Sequence, residues 1–299
     1  KRDLTEELTK EAYEQPYHSK HAFAETYGKH REVLELSYED HVELFNYTKY
    51  KGLDFIETLC SPKTLQLLDY IKPDYIKIAS RDASNIPLLE KIAQSTIPII
   101  LSTGMSNEND IEEAIACIEK HHHHISLLHC ISQYPANYTN LNLNAIKTLE
   151  RKYGSKYTIG YSDHSIGIMA PILAVGLGAK IIEKHITLDQ NMKGSDHKGS
   201  LEKDGLWRMT RDIRNAELST GSYTIKKTNE INIAKSKLER SLATNKKIEK
   251  GSIIQEEMLQ MLSPGTGLKW KEKNKIVGKK AIQNIPPNTL IDPSMFTSN

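Results

Sequence analysis

Between residues 37 and 218, short apolar runs alternate six times with stretches of helical periodicity, a pattern few folds can absorb. The apolar runs read as strands over Leu53–Leu59, Tyr75–Ala79, Pro98–Ser102, Ile125–Cys130, Tyr157–Tyr161 and Lys180–Ile186. Helices read over Ser61–Tyr70, Asn85–Gln94, Asn144–Tyr153, Ile168–Leu177 and Lys203–Leu218. One more carries Ile111, Ala114, Ile115 and Ile118, the i, i+3, i+4, i+7 stripe of a helix with one buried face. Upstream, Ser37 with Asp40 three positions on signals a helix start. Links this short, with a helix in every crossover, imply parallel strands and an α/β architecture.

Six units do not close a barrel of eight. The expectation is therefore a (β/α)8 TIM barrel, residues 1–218, lacking its first strand, helix and second strand. The chain opens Lys1-Arg2-Asp3 without a methionine, which fits elements lying before Lys1. Such a chain is expected to fold poorly and to be inactive alone, with a gap between the strands at Leu53–Leu59 and Lys180–Ile186. Residues 1–36 show no clean period and read as loop-like, rich in Tyr, His and Phe. Residues 219–239, rich in Lys, Thr and Ser, read as a linker. Residues 240–299 hold short apolar pieces broken by Gly and Pro, which suggests a compact module of turns and short strands.

The net charge of +2 excludes a strong electrostatic case for nucleic acid, and no apolar stretch approaches the ~20 residues of a membrane span. Three cysteines, Cys60, Cys117 and Cys130, are odd in number and lack metal-type spacing, so they read as reduced thiols of a cytoplasmic protein.

Polar residues gather at the C-terminal strand ends, where parallel α/β folds place their chemistry. The strongest set is Gly160-Tyr161-Ser162-Asp163-His164 with Glu183-Lys184-His185. Two histidines ending consecutive strands can share one divalent metal. A lone histidine there would read as an ordinary polar residue; two at equivalent positions do not. Lys77, amid apolar neighbours, reads equally as an anion contact with the hydroxyls of Ser80, Ser102 and Ser132, or as a snorkelling surface lysine. Cys130 follows His129 but lacks an evident third orienting group, so an inert thiol outweighs a nucleophile. Tyr134, before Pro135, is held extended and can point into a site. The run His121–His124 invites a metal, yet its rings face different ways at the opposite end of the strands, and it reads as a solvated loop. Gly194–Lys198 reads as a lid or substrate loop.

Lys77–Ser80, Leu101–Met105, Leu128–Cys130 with Tyr134-Pro135, Gly160–His164, Glu183–Asp189 and Gly194–His197 together resemble the sialic acid synthase family, in order and spacing along nearly the whole chain. Arg240-Ser241-Leu242, Lys250-Gly251 and Pro264-Gly265-Thr266-Gly267 resemble its C-terminal antifreeze-like (SAF) domain, residues 240–299. Pro16–His21 and Thr26–His30 are similar to the branch containing the animal enzymes. The resemblance implies condensation of phosphoenolpyruvate with N-acetylmannosamine or its 6-phosphate. His164 and His185 would hold Mn²⁺ or Mg²⁺ and polarise the sugar's aldehyde. Phosphoenolpyruvate C3 would attack that carbon, water would add at C2, and phosphate would leave by C–O cleavage. Lys77, Ser80, Ser102, Ser132 and Ser162 would bind phosphoenolpyruvate, with Thr58 nearby. Tyr134 and Asp196 would face the sugar and the metal's water. Arg240, from the antifreeze-like domain of a second copy in a domain-swapped homodimer, would contact the N-acetyl group. Arg81-Asp82 stands where the family often has Gly followed by an acid; Asp82 keeps the acid as a catalytic candidate, and Arg81 adds a charge near the substrate. The alternatives are a synthase of legionaminic or pseudaminic acid, and a non-catalytic sugar-binding relative.

Overall fold

The computed structural model describes residues 1–225 and 228–297. Residues 226–227 of the expected linker and 298–299 of the expected C-terminal module lie outside the described residues. The chain divides into two compact units, Lys1–Gly221 and Ser222–Asn299.

The first unit opens with α1 (Leu4–Glu7), α2 (Lys10–Glu14) and α3 (Tyr27–Leu34). These correct the loop-like reading of residues 1–36. They escape a periodicity search because two are a single turn long, and caps from Asp3, Thr9 and Thr26 start them without an apolar stripe. Aromatic contact orders the stretch between: His30 stacks on Tyr17 at 4.6 Å and on Phe23 at 5.7 Å. α4 (Tyr38–Tyr50) follows, and Ser37 and Asp40 close the expected capping box.

The sheet then runs β1 (Ile56–Thr58), β2 (Tyr75–Ile78), β3 (Ile99–Ser102), β4 (Ile125–Cys130), β5 (Thr158–Asp163) and β6 (Ile181–Lys184). Every strand pairs in parallel with the next, in chain order, so each connection is a crossover over one face. α5 (Ile86–Ala93), α6 (Glu108–Glu119), α7 (Ala145–Tyr153) and α8 (Met169–Gly176) make those crossovers, and α9 (Lys203–Thr220) follows β6. The helix expected over Ser61–Tyr70 is a 3-10 helix, Pro62–Asp69. Among the described residues β1 and β6 pair only on one side, and the expected gap lies between them.

Strand alternation sorts the chemistry. Ile76, Ile78, Ile99, Leu101, Ile125, Leu127, Ile159 and Tyr161 pack outward into one core with Leu88, Ile92, Ile111, Ile115, Ile118, Ile146 and Leu149 of the helices. The intervening positions face the concave side. Register aligns Thr58 with Lys77, Ser102 with Leu128, and Cys130, Ser162 and Glu183 in one row. Lys77 of β2 meets Glu183 of β6 at 3.3 Å across that concavity, although three strands separate them, so the sheet is curled as a partial barrel.

In the second unit α10 (Ile231–Leu238) occupies part of the stretch expected to be a linker. β7 (Ser241–Thr244) pairs antiparallel with β8 (Leu259–Leu262). Leu242, Ile248, Ile254, Ile276, Ile285, Ile291 and Phe296 form its small core. Ser241 Oγ donates to Pro264 O at 2.7 Å and accepts from Gly267 N at 2.9 Å, pinning the Pro-Gly-Thr-Gly turn.

Candidate active site

β5 and β6 end in register, Asp163 opposite Lys184, and each is followed by a histidine. Lys184 Nζ and Asp163 Oδ2 pair at 2.6 Å with both side chains almost wholly buried. Asp163 Oδ1 also accepts from Tyr161 Oη at 2.8 Å and Ser165 N at 3.0 Å. A buried pair satisfied this fully acts as a fixed pin, and it sets His164 and His185 side by side. Their ring centres lie 5.3 Å apart at 81°. His164 Nδ1 donates to Ile131 O at 2.8 Å, which leaves its Nε2 lone pair free among the described residues. Tyr134 packs on His164 at 4.1 Å and on His185 at 5.9 Å. Pro135, Ser195, Asp196 and Gly199 complete the cleft, and Asp196 Oδ2 is 3.9 Å from His185 Nδ1.

Burial pushes the His185 pKa down, favouring the neutral ligand form. Burial also opposes charge on His164, but its contacts with Cys130 and the Ile131 carbonyl outweigh that and raise it. The Tyr134 hydroxyl is pushed up to about 12, by burial first and then by Cys130, Asp196 and Glu183. Among the described residues no three His, Cys, Asp or Glu side chains converge as a closed metal cage. A divalent cation fits here as a two-imidazole site, its other positions left for oxygen ligands. The free imidazole nitrogen and the fixing carbonyl on His164 are the observations behind that fit.

Deeper in the concavity the expected hydroxyls gather. Gly104 N donates to Ser80 Oγ at 3.0 Å, and a β-carbon on Gly104 would lie 2.6 Å from Ser132 Oγ and 2.9 Å from both Cys130 Sγ and Ser80 Oγ. Only glycine permits that approach. Ser102 Oγ and Ser132 Oγ are buried without a hydrogen-bond partner among the described residues. A buried hydroxyl left unpaired costs roughly 1–3 kcal/mol, so two together point to a ligand that satisfies them. Lys77 is buried, donating to Ile78 O at 3.2 Å and paired with Glu183 at 3.3 Å, so it is not a snorkelling surface lysine.

Ser162 lies in the row of Cys130 and Glu183, and Thr58 is level with Lys77. Asp82 is buried just past Ser80 and accepts from Arg81 Nε at 3.2 Å. Arg240 is exposed in the second unit, beside β7. Asp163, Lys184 and Glu183, which share the motifs of the two histidines but are given no role from spacing alone, join the site through their ion pairs; the signal is that both histidines directly follow an ionisable residue. The run His121–His124, expected to be a solvated loop, is only partly solvated. His122 is buried, and His121 Nε2 meets Glu90 Oε1 at 2.8 Å.

The model of the NeuB family matches residues 1–225, and that of the SAF domain matches residues 239–297. The chain is 38% identical to the N,N'-diacetyllegionaminic acid synthase of Campylobacter jejuni, over 86% of this chain and 78% of that one. It is 33% identical to the N-acetylneuraminate-9-phosphate synthase of Drosophila melanogaster, over 95% and 83%. The crystal structure of the N-acetylneuraminic acid (sialic acid) synthetase of Leptospira borgpetersenii, in complex with citrate, superposes with a TM-score of 0.63 at 34% identity, covering 70% and 74%.

Proposed function

The chain belongs to the NeuB family of sialic and other nonulosonic acid synthases, and from that premise we propose that it condenses phosphoenolpyruvate with N-acetylmannosamine or its 6-phosphate, giving N-acetylneuraminate or its 9-phosphate and inorganic phosphate. One observation carries the reading: among the described residues His164 keeps an open imidazole nitrogen at adjacent strand ends with His185, and the hydroxyls of Ser102 and Ser132 are buried without partners.

A bound Mn²⁺ or Mg²⁺ would be held by His164 and His185 and would supply Lewis-acid polarisation of the sugar's aldehyde. The Ile131 carbonyl and the buried Asp163–Lys184 pair orient those two rings. Lys77 exchanges part of its Glu183 contact for the phosphoenolpyruvate anion, and Ser80, Ser102, Ser132 and Ser162 donate to it, with Thr58 alongside. These donors act in a low-dielectric pocket, where aiming them in advance at a developing charge is worth most. Carbon–carbon bond formation joins phosphoenolpyruvate C3 to the aldehyde carbon; water adds at C2, and C–O cleavage releases phosphate. Tyr134, its pKa near 12, stays protonated at neutral pH and donates to the sugar, while Asp196 accepts from it. Asp82 supplies a further acid, and Arg240 of a second copy reaches the N-acetyl group in a domain-swapped dimer. We place the reaction in the cytoplasm; no helix among the described residues is long and apolar enough to cross a membrane.

A second reading changes only the hexose: relatives bearing the names legionaminic and pseudaminic acid synthase favour it equally. The test incubates the protein with phosphoenolpyruvate, Mn²⁺ and each candidate hexose in turn, following phosphate release and the mass of the nine-carbon product. Activity lost on chelation and restored by Mn²⁺ supports the proposal. Phosphate release with no hexose tested would overturn it in favour of a sugar-binding relative.

A further inference from the structure

Arg2 and Arg81 converge on Glu7 at the edge of the concavity, and the chemistry above uses neither. Arg81 directly follows Ser80 of the hydroxyl group. Arg2 Nη1 and Arg81 Nη2 converge on one oxygen, Glu7 Oε2, at 3.1 and 3.0 Å. Arg81 Nε reaches Asp82 Oδ2 at 3.2 Å. Each guanidinium offers five N–H donors, so most of those on Arg2 and Arg81 remain uncommitted among the described residues. Arg31 Nε is buried without a partner among the described residues, and so is Glu7 Oε1. Burial lowers the Arg2 pKa, and the charges of Arg81 and Arg31 lower it further, so the three cations feel one another. Arg2 and Arg81 thus share one oxygen of Glu7, and Arg81 alone also meets Asp82. Arg81 is also felt at the Tyr134 hydroxyl, in the cleft of His164 and His185.

Two guanidinium groups that share one carboxylate oxygen keep donors over for a second, incoming anion. Arginine's planar fork matches the paired oxygens of a phosphate, whereas a lysine would present only a point charge. We propose that Arg81, with Arg2 beside it on Glu7, is a subsite for a phosphate monoester at the rim of the site. It rests on the synthase reading, whose reaction involves two such groups: the phosphate of phosphoenolpyruvate and the 6-phosphate of the sugar. Lys77 and the serines already serve the first, inside the sheet. Arg81 lies outside them, against the N-terminal helices, so the sugar's phosphate is the assigned occupant. Glu7 competes with that phosphate for the two guanidinium groups. The chain would then prefer a phosphorylated hexosamine.

Calorimetric titration of the full chain tests this with three probes: inorganic phosphate, phosphoenolpyruvate, and N-acetylmannosamine 6-phosphate beside its unphosphorylated form. The wild type is expected to bind the phosphorylated sugar at least about 10-fold more tightly, the scale of one charge-assisted hydrogen bond. In Arg81→Gln that ratio falls below about 3-fold and phosphate itself binds about 10-fold more weakly, while Arg81→Lys keeps part of both. Glu7→Gln, which removes the competing carboxylate, leaves phosphate binding as strong or stronger. If Arg81→Gln weakens phosphoenolpyruvate instead of the sugar phosphate, the subsite stands and its occupant is phosphoenolpyruvate. Unchanged affinity for all three phosphates in Arg81→Gln, with only the melting temperature lowered, overturns the subsite and leaves a structural ion-pair cluster. A wild type that condenses no sugar defeats the synthase reading, and the inorganic phosphate titration still decides the subsite.

Discussion

Two groups of histidines sit at opposite ends of the same sheet, and the pair at the C-terminal end lines the cleft. At the C-terminal end His164 and His185 have their backbones pinned by Asp163–Lys184, and His164 keeps a free ring nitrogen. At the N-terminal end three of the four histidines are engaged with their own surroundings through a ring nitrogen, although His122 Nε2 is buried without a partner among the described residues. His121 pairs with Glu90 at 2.8 Å, His123 with Glu119 at 3.3 Å, and His122 stacks on His124 while accepting from that residue's amide. Number and density of histidines thus favour the wrong end. Adjacent residues on a turn diverge, whereas residues ending neighbouring strands converge, because strand spacing holds them about 5 Å apart.

The sharpest way to break this comparison is to remove one ring from each group. His164→Ala or His185→Ala should abolish turnover, by roughly 10³-fold or more, since several kcal/mol of Lewis-acid stabilisation leaves with the metal. Far-UV circular dichroism should be unchanged and Mn²⁺ binding lost. Full activity with added metal in either variant sinks the ligand assignment.

The pin comes next. Lys184→Met leaves Asp163 buried and unpaired, which should cost about 3–5 kcal/mol in urea unfolding and weaken Mn²⁺ binding as well. A variant as stable as the parent would show that the pair does not hold the strand ends.

Lys77→Ala should raise the KM for phosphoenolpyruvate by the loss of one charge-assisted contact, roughly 1.5–3 kcal/mol, or about 10- to 150-fold. An unchanged KM for phosphoenolpyruvate rejects the role.

The smallest effects belong to the N-terminal run. His121→Ala should cost less than about 1 kcal/mol and leave metal binding untouched, because its partner Glu90 is partly exposed. Its neighbour His122, and His129 in the sheet, have pKa values lowered below 6.5, chiefly by burial. Both are neutral when folded and take up protons more readily when unfolded. Their stabilisation is therefore complete above pH 6.5 and is lost as pH falls through 6.5 toward their folded values. Thermal melts from pH 7.5 to 5 should show a falling Tm, less steep in His122→Gln; a Tm rising toward pH 5 contradicts the sign.

Much of the architecture was legible because parallel strands buried on their outer face must be apolar at alternate positions, and crossover helices must carry one apolar stripe. Ile111, Ala114, Ile115 and Ile118 are all buried as their spacing requires. The N-terminal helices were not legible, since single turns held by Asp3 and Thr9 caps and by stacked aromatics leave no period to detect.

The sequence by itself determined the α/β class, the parallel order and the strand ends that bear His164, His185, Ser102 and Lys77, because alternation and strand boundaries are properties of local spacing. Only the tertiary structure decided which ionisable groups consume one another. Asp163 with Lys184, Lys77 with Glu183, and Arg2 with Arg81 on Glu7 join residues 21, 106 and 79 positions apart. Electrostatic partnership depends on distance through space and on burial, and neither quantity is written in the spacing along the chain.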